Sequence, residues 1–364
     1  MSTPDSLPPM EWSVSASPHI KDRENTPRIM WSVVAALAPA GMWGLYVFGV
    51  QALYVILLCV ISAAATEAII QRLRGRPVTL CDGSAVVTGL LLAYCLPSAS
   101  PVIQNGQVVG LTWLKWQVPV VGAVVAIGIA KQCFGGLGHN IWNPALVGRA
   151  FVQLAYPSCV SLSQWPWPAG RVDAVTKATA LAKGAPAAFS LQDLFIGNVP
   201  GCIGEISALF LLIGAAYLIA RKYVNWRLPL GYLLALALFA TLFAWAPRHP
   251  IAPWVNDFAA SFVQFRGGEL PLGGFASDWL RFVGMQIFAG GVILGAFFMA
   301  TDMVTSPLTS RGQFIYGVGC GALTALIRFF SSYPEGVCYA ILLMNTIRPY
   351  VDRWTRQRVI GQTR

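Results

Sequence analysis

A chain of 364 residues with 56% hydrophobic and only 11% charged residues cannot cover a water-facing surface, since soluble domains carry about 25% charged residues. The mean hydropathy of +0.60 requires most of that surface to face something apolar. In a membrane chain the net charge of +10 raises first the question of which side the positive residues lie on, and a nucleic-acid partner is not expected.

In chain order, the first 26 residues are polar and dotted with proline, without the positive head and apolar core of a cleavable signal. The first helix, from about Arg28, is therefore expected to act as its own insertion signal. Apolar runs and their punctuation predict ten spans of a bilayer about 30 Å thick. They lie near residues 28–48, 51–71, 83–97, 118–134, 141–156, 201–221, 228–246, 279–300, 313–330 and 335–349. The third, fifth and tenth are short or interrupted by Gly and Pro. The loop at 157–199 is rich in Pro, Ala and Trp, and with the loop at 247–278 it is long enough to expect function or disorder there. The eight cysteines form no Cys-x-x-Cys pair and mostly sit in or beside apolar runs. They read as small packing residues, and the chain alone offers no metal site.

Short cationic clusters fix the expected orientation. Lys21, Arg23 and Arg28, then Arg72, Arg74 and Arg76, then Lys131, then Arg221, Lys222 and Arg227, then Arg311, and finally Arg353, Arg356, Arg358 and Arg364 all fall on one side. Both termini are thus predicted to be cytoplasmic, with 157–199 and 247–278 outside. The expected organisation is an N-terminal segment (1–27), a five-helix half (28–156), the long outer loop (157–199), a second five-helix half (200–350) and a basic tail (351–364).

The two halves echo each other. The segment from Gly83 to Pro101 aligns without gaps on Ala289 to Pro307, each ending in Ser-Pro, and the pattern Lys131-Gln-Cys-Phe-Gly-Gly returns as Arg328-Phe-Phe-Ser-Ser-Tyr. Span three thus matches span eight, as two inverted five-helix repeats require. Such repeats place binding sites where helices break near the midplane.

The outer loop carries Val172-Asp173-Ala174-Val175-Thr176-Lys177-Ala178-Thr179. This resembles the flavinylation motif D-x-x-[ST]-G-A-T of the RnfD/NqrB family, the flavin-bearing membrane subunits of ion-translocating electron-transfer complexes. Further matches run in order along the chain: Ser17-Pro18-His19 with Thr26 and Met30, Asp82-Gly-Ser-Ala with Thr88-Gly-Leu-Leu-Leu-Ala93, Gly138-His-Asn-Ile-Trp-Asn-Pro144, Pro200-Gly-Cys-Ile-Gly-Glu205, and Ala300-Thr-Asp-Met-Val-Thr-Ser-Pro307. The resemblance implies FMN joined through its phosphate to Thr179 by a flavin transferase, with Asp173, Thr176 and Ala178 in the recognised segment. Lys177 stands where the family has Gly, adding bulk beside the acceptor and a charge able to pair with the FMN phosphate.

Chain length points to the Rnf branch of the family. The resemblance then implies a subunit of an inner-membrane complex that couples ferredoxin–NAD electron transfer to ion movement. It also implies a second, non-covalent flavin (riboflavin or FMN) among the helices. No dinucleotide fingerprint and no ferredoxin-type cysteine run occurs here, so NAD-binding, iron–sulfur and other flavin-bearing subunits are the expected partners. The implied fold is an all-α polytopic membrane protein of about ten helices in inverted halves, with the flavin loop in the periplasm.

Polar residues within or beside spans are costly when they face lipid. Here they are Glu67, Asp82, Lys131, His139, Arg149, Glu205, Asp302 and Arg328. Asp82 and Asp302 border apolar runs beside Ser, Thr and Gly, where backbone amides can meet a phosphate, a ring carbonyl or an ion, and both are candidate cofactor-binding residues. A channel or secondary transporter built on the same inverted halves would explain the helices and buried acids, but not the Thr179 loop.

Overall fold

The computed structural model describes residues 24–104, 107–160, 190–244, 272–331 and 335–356, with Phe258, Ser261 and Gln264. Asp173, Thr176, Lys177, Ala178 and Thr179 lie outside the described residues.

Helix α1 (Thr26–Phe48) starts where the Asn25 side chain accepts the Arg28 amide and a proline occupies the first turn. Gly49 separates it from α2 (Val50–Leu73). Next come α3 (Ser84–Tyr94), α4 (Gln117–Val124) with a π-helical extension over Val125–Gln132, and α5 (Pro144–Ala155), capped by Asn143. The short α6 (Leu191–Ile196), opened by a Ser190–Asp193 capping box, precedes α7 (Ala208–Ala220) and α8 (Arg227–Ala244). Helix α9 (Leu272–Phe288) is followed by α10 (Val292–Leu294), which runs on as a π-helix over Gly295–Met299. The last two are α11 (Ser310–Phe330) and α12 (Val337–Trp354).

Each of the ten apolar runs contains helix, but few are full spans. Helices α1, α2, α8 and α11 are long and apolar enough to cross a membrane, and a fifth span results if α9 and the α10 segment, bent by 65°, are taken together. With 11 residues, α3 reaches about 16 Å at 1.5 Å per residue, roughly half a bilayer core. A two-stranded antiparallel sheet, β1 (Ala99–Gln104) and β2 (Gln107–Trp113), stands in the predicted junction after α3.

Packing explains how a bundle of short pieces holds together. Helix α8 lies along α11, α1 along α7, and α2 against α3 and α4. The α8–α11 contact is backbone-close: a Cβ at Gly317 would run into the Leu228 carbonyl, and one at Gly321 into that of Tyr232. Tyr232 and Thr324, both buried, share a hydrogen bond of 2.6 Å across this seam. The chain beyond α3 crosses the segment leading to α7, where Gly204 N–H donates to Tyr94 O (3.0 Å) and Ile203 N–H to Leu96 O (3.1 Å). The segment before α7 thus donates its amides to carbonyls left without partners at the end of α3.

Hydrogen bonds also tie together the segments predicted to share one side. Arg74 donates to Gln132 O and Arg76 to Gly135 O. Glu24 accepts from Tyr223, Asn225 donates to Gln313, and Asp352 accepts the Leu308 amide. Trp31 on α1 donates to Cys81 O (3.3 Å) and joins the two sets, so the Arg-rich ends of these helices gather at one end of the bundle.

Candidate functional site

At that end, a cavity enclosing about 770 Å³ of space between atoms, partly continuous with the outside, lies between α1, α3 and the turn after α10. Its apolar wall includes Met30 and Val33 from α1, Leu91 from α3, and Phe297, Phe298 and Met303. The polar lining comes from Ser84, Thr88, Lys131, Asn140, Asn143, Thr301 and Asp302. Pockets for small ligands share this mixture of apolar walls with a few convergent polar groups. A smaller second cavity shares Tyr223, Val224, Thr301 and Met303 with the first, and adds Asn225, Ser306 and Gln313.

Local structure explains how the polar groups reach the cavity. The carboxylate of Asp302 accepts the Val304 amide (3.3 Å) and the Thr305 hydroxyl (3.2 Å), holding the turn that closes the π-helix. No cation pairs with it among the described residues. Asn143 caps α5 with its side-chain oxygen and donates to Met299 O (3.1 Å), binding the two walls together. Asn140 donates to Trp142 O, which leaves its side-chain oxygen as an acceptor. Of the two carboxylates singled out from sequence, Asp302 lines the cavity and Asp82 does not. Asp82 accepts from the Ser84 amide (2.8 Å) and hydroxyl (2.7 Å) and so fixes the start of α3.

Lys131 is among the most deeply buried cations. Its ammonium lies 2.8 Å from Glu67 and donates to the Ser84 hydroxyl at 2.6 Å. Glu67 also accepts from Gln132 (2.9 Å) and Gln71 (3.4 Å), so a carboxylate 1% exposed has several donors. An ion pair this dry is tolerable only with such added hydrogen bonds. His139 is exposed and takes no part in the cavity lining.

A second cluster sits where the helix breaks converge. Arg149 on α5 bonds to Cys95 O at the end of α3, to Glu205 (3.4 Å) and to Glu335 just before α12. Arg328 donates to Gln286 O (2.6 Å) and Ala289 O (2.9 Å) at the end of α9. Helix C-termini leave carbonyls without partners and carry partial negative charge, and the two guanidinium groups supply both donors and compensation. Cys202, Glu205 and Glu335 bring ligand atoms within 4.8 Å of one another. Arg149 lies 3.7 Å from the Cys202 thiol and bonds both carboxylates, so the guanidinium already supplies the positive charge a metal ion would bring. Glu335 escaped the sequence reading, although Pro334 and Gly336 flank it as a helix-breaking signal. Asn140 and Asn143 were read only as part of the Gly138–Pro144 match, with no role of their own, and Tyr223 escaped the reading because nothing in its periodicity sets it apart.

Residues 13–361 match the model of the NQR2, RnfD, RnfE family. The chain is 43% identical over 358 residues to the D component of the Na(+)-translocating ferredoxin:NAD(+) oxidoreductase complex of Acetobacterium woodii, covering 97% of this chain and 96% of that one. It is 38% identical over 366 residues to the D component of the proton-translocating ferredoxin:NAD(+) oxidoreductase complex of Clostridium ljungdahlii, covering 97% of each. It is 35% identical to the D component of the ion-translocating oxidoreductase complex of Stutzerimonas stutzeri, covering 93% of each. By the extent of the family match and by these relatives, the chain belongs to the NQR2, RnfD, RnfE family.

Proposed function

We propose that this protein is the flavin-carrying membrane subunit of a multisubunit complex that couples electron transfer between ferredoxin and NAD to ion translocation across the inner membrane. It works only with iron–sulfur, NAD-binding and further flavin-bearing partner subunits. Family membership and the names of the relatives support the complex. Flavin carriage is supported by the Asp173-x-x-Thr176-x-Ala178-Thr179 segment and, among the described residues, by one observation: an apolar cavity with convergent polar groups beside Asp302.

The covalent FMN is assigned to Thr179, in a loop assigned to the periplasm and reached there by a flavin transferase. The cavity is assigned to a second, non-covalent flavin, and its lining fits one. An isoalloxazine ring is flat, apolar on its faces and polar along one edge, and the lining offers Phe297, Phe298, Leu91 and Met303 for the faces and Asn140, Thr88 and Thr301 for the edge. Charge favours riboflavin over FMN here. The one cation lining either cavity among the described residues, Lys131, is committed to Glu67 and Ser84, and Asp302 would oppose a phosphate. A bound flavin would accept and release electrons within the membrane. The chain's own part is to hold that ring, keep water from it, and fix Asp302 through Val304 and Thr305.

The inverted repeat is likewise part of this reading. It is supported by Lys131 bonding Ser84 at the start of α3 while Arg328 bonds Ala289 before α10, positions that fall one residue apart in the sequence alignment.

The test is a denaturing gel of protein from its native host, viewed under ultraviolet light beside Thr179→Ala. A fluorescent band that the mutant lacks is expected. A dark wild-type band, with the transferase active on another substrate, would overturn the covalent assignment and hand the chain to the transporter reading.

A further inference from the structure

Tyr223 is the one residue that both lines the shared wall of the two cavities and reaches a charged surface cluster. Its hydroxyl donates to Glu24 at 2.6 Å, across 199 positions of sequence, and accepts from Arg221 at 3.2 Å. Arg221 is itself 3.8 Å from Glu24, and Arg28 lies 3.9 Å from it. Glu24 stands just before the Asn25 cap of α1, the helix whose first turns (Ile29, Met30, Val33) form a cavity wall. The wall from α1 and the wall from the α7–α8 connection are therefore joined at the surface by one charge-assisted hydrogen bond.

The backbone is bent to make this contact. After α7, Lys222 N–H donates to Ile219 O (2.9 Å) and Tyr223 N–H to Leu218 O (3.0 Å), the paired pattern of a Schellman C-cap. That motif needs a left-handed residue between, and Lys222, φ 61, is the one non-glycine residue with positive φ among those described. A side chain in that conformation is strained relative to glycine. The reversal turns the chain back at α7 so that the next residue, Tyr223, lies against the cavity.

We propose that the Tyr223–Glu24 bond, braced by Arg221, is a latch that closes the cavity and retains its ligand, which on the reading above is a non-covalent flavin. Tyr223 is in this sense a positioning and retention residue. Its ring forms wall on the inside while its hydroxyl ties down the start of α1 on the outside.

The experiment uses the assembled complex from its native host, carrying wild type, Tyr223→Phe, Glu24→Gln or both. The non-covalent flavin is followed as acid-extractable fluorescence remaining during dilution into flavin-free buffer. Tyr223→Phe, which keeps the ring, should speed release roughly tenfold, as loss of one hydrogen bond to a charged group predicts. Glu24→Gln should speed it less, and the double variant should be no faster than Tyr223→Phe, because both remove the same bond. The in-gel fluorescence of the covalent flavin and the Tm, unchanged in all four, separate retention from misfolding. Release at the wild-type rate from every variant, or fully additive effects, would overturn the latch. If wild type holds no extractable flavin, the cavity assignment itself fails, and a Tm fall matching the release would reduce the bond to a structural tie.

Discussion

Lys131 and Arg149 show how this chain places full charges in an apolar interior. Neither is left to one partner: Lys131 meets Glu67 and Ser84, and Arg149 meets two carboxylates and a helix-end carbonyl. Breaking such a pair from one side strands a buried charge, which costs about 3–5 kcal/mol, whereas removing both charges is often close to neutral. Lys131→Met should therefore lower the Tm sharply, and adding Glu67→Gln should restore most of the loss. Thermal unfolding of the detergent-solubilised protein measures both, and simple additivity of the two losses would refute a mutual pairing. The sequence could mark these residues as costly in lipid, but not choose their partners, because Glu67 and Lys131 meet across 64 positions. Asp82 and Asp302 looked alike beside their Ser, Thr and Gly neighbours. Only the direction in which α3 and the π-helix run separates a helix-start residue from a cavity wall.

At the scale of elements, apolar runs located the helices well because a lipid-facing surface must be apolar whatever the fold. Lengths were less legible. A break at Cys95 or Gly290 leaves carbonyls that Arg149 and Arg328 cap from other helices. The hairpin was missed although Asn105-Gly106, the dipeptide that two-residue hairpin loops favour, separates two β-branched stretches; a reading for twenty-residue apolar runs passes over strands of 6 and 7 residues. The α8–α11 seam gives a sharp test of close packing. A Cβ at Gly321 would meet backbone of α8, which cannot swing aside, while one at Gly319 would meet only the end of Met344. Gly321→Ala should cost about 1–3 kcal/mol, the range for an overpacked contact, despite the gain in helix propensity. Gly319→Ala should be neutral or stabilising by about 0.5–1 kcal/mol, since Met344 can yield and alanine favours the helix. Equal Tm values for the two variants would mean that the helices do not approach as closely as described.

For the whole molecule, the question is which compartment each end of the bundle faces. The arginine clusters assigned one end to the cytoplasm, and the hydrogen bonds of Arg74, Arg76, Glu24 and Asp352 show that those clusters do share an end. Two native thiols report on it. Cys81 and Cys133 are the exposed cysteines, the other six being buried, and both lie next to residues of the Ser84–Lys131 contact, so they occupy the same end. An impermeant maleimide should then label Cys81 and Cys133 in inside-out vesicles and not in right-side-out ones. A cysteine introduced in the loop, Ala174→Cys, should show the opposite pattern. Labelling of the native pair from outside would reverse the sidedness and place Thr179 in the cytoplasm. Labelling of all three from one face would instead mean an even number of crossings between Cys133 and Ala174. That outcome would make the 12-residue α5 a re-entrant segment rather than a span, and the two halves could not be inverted five-helix repeats.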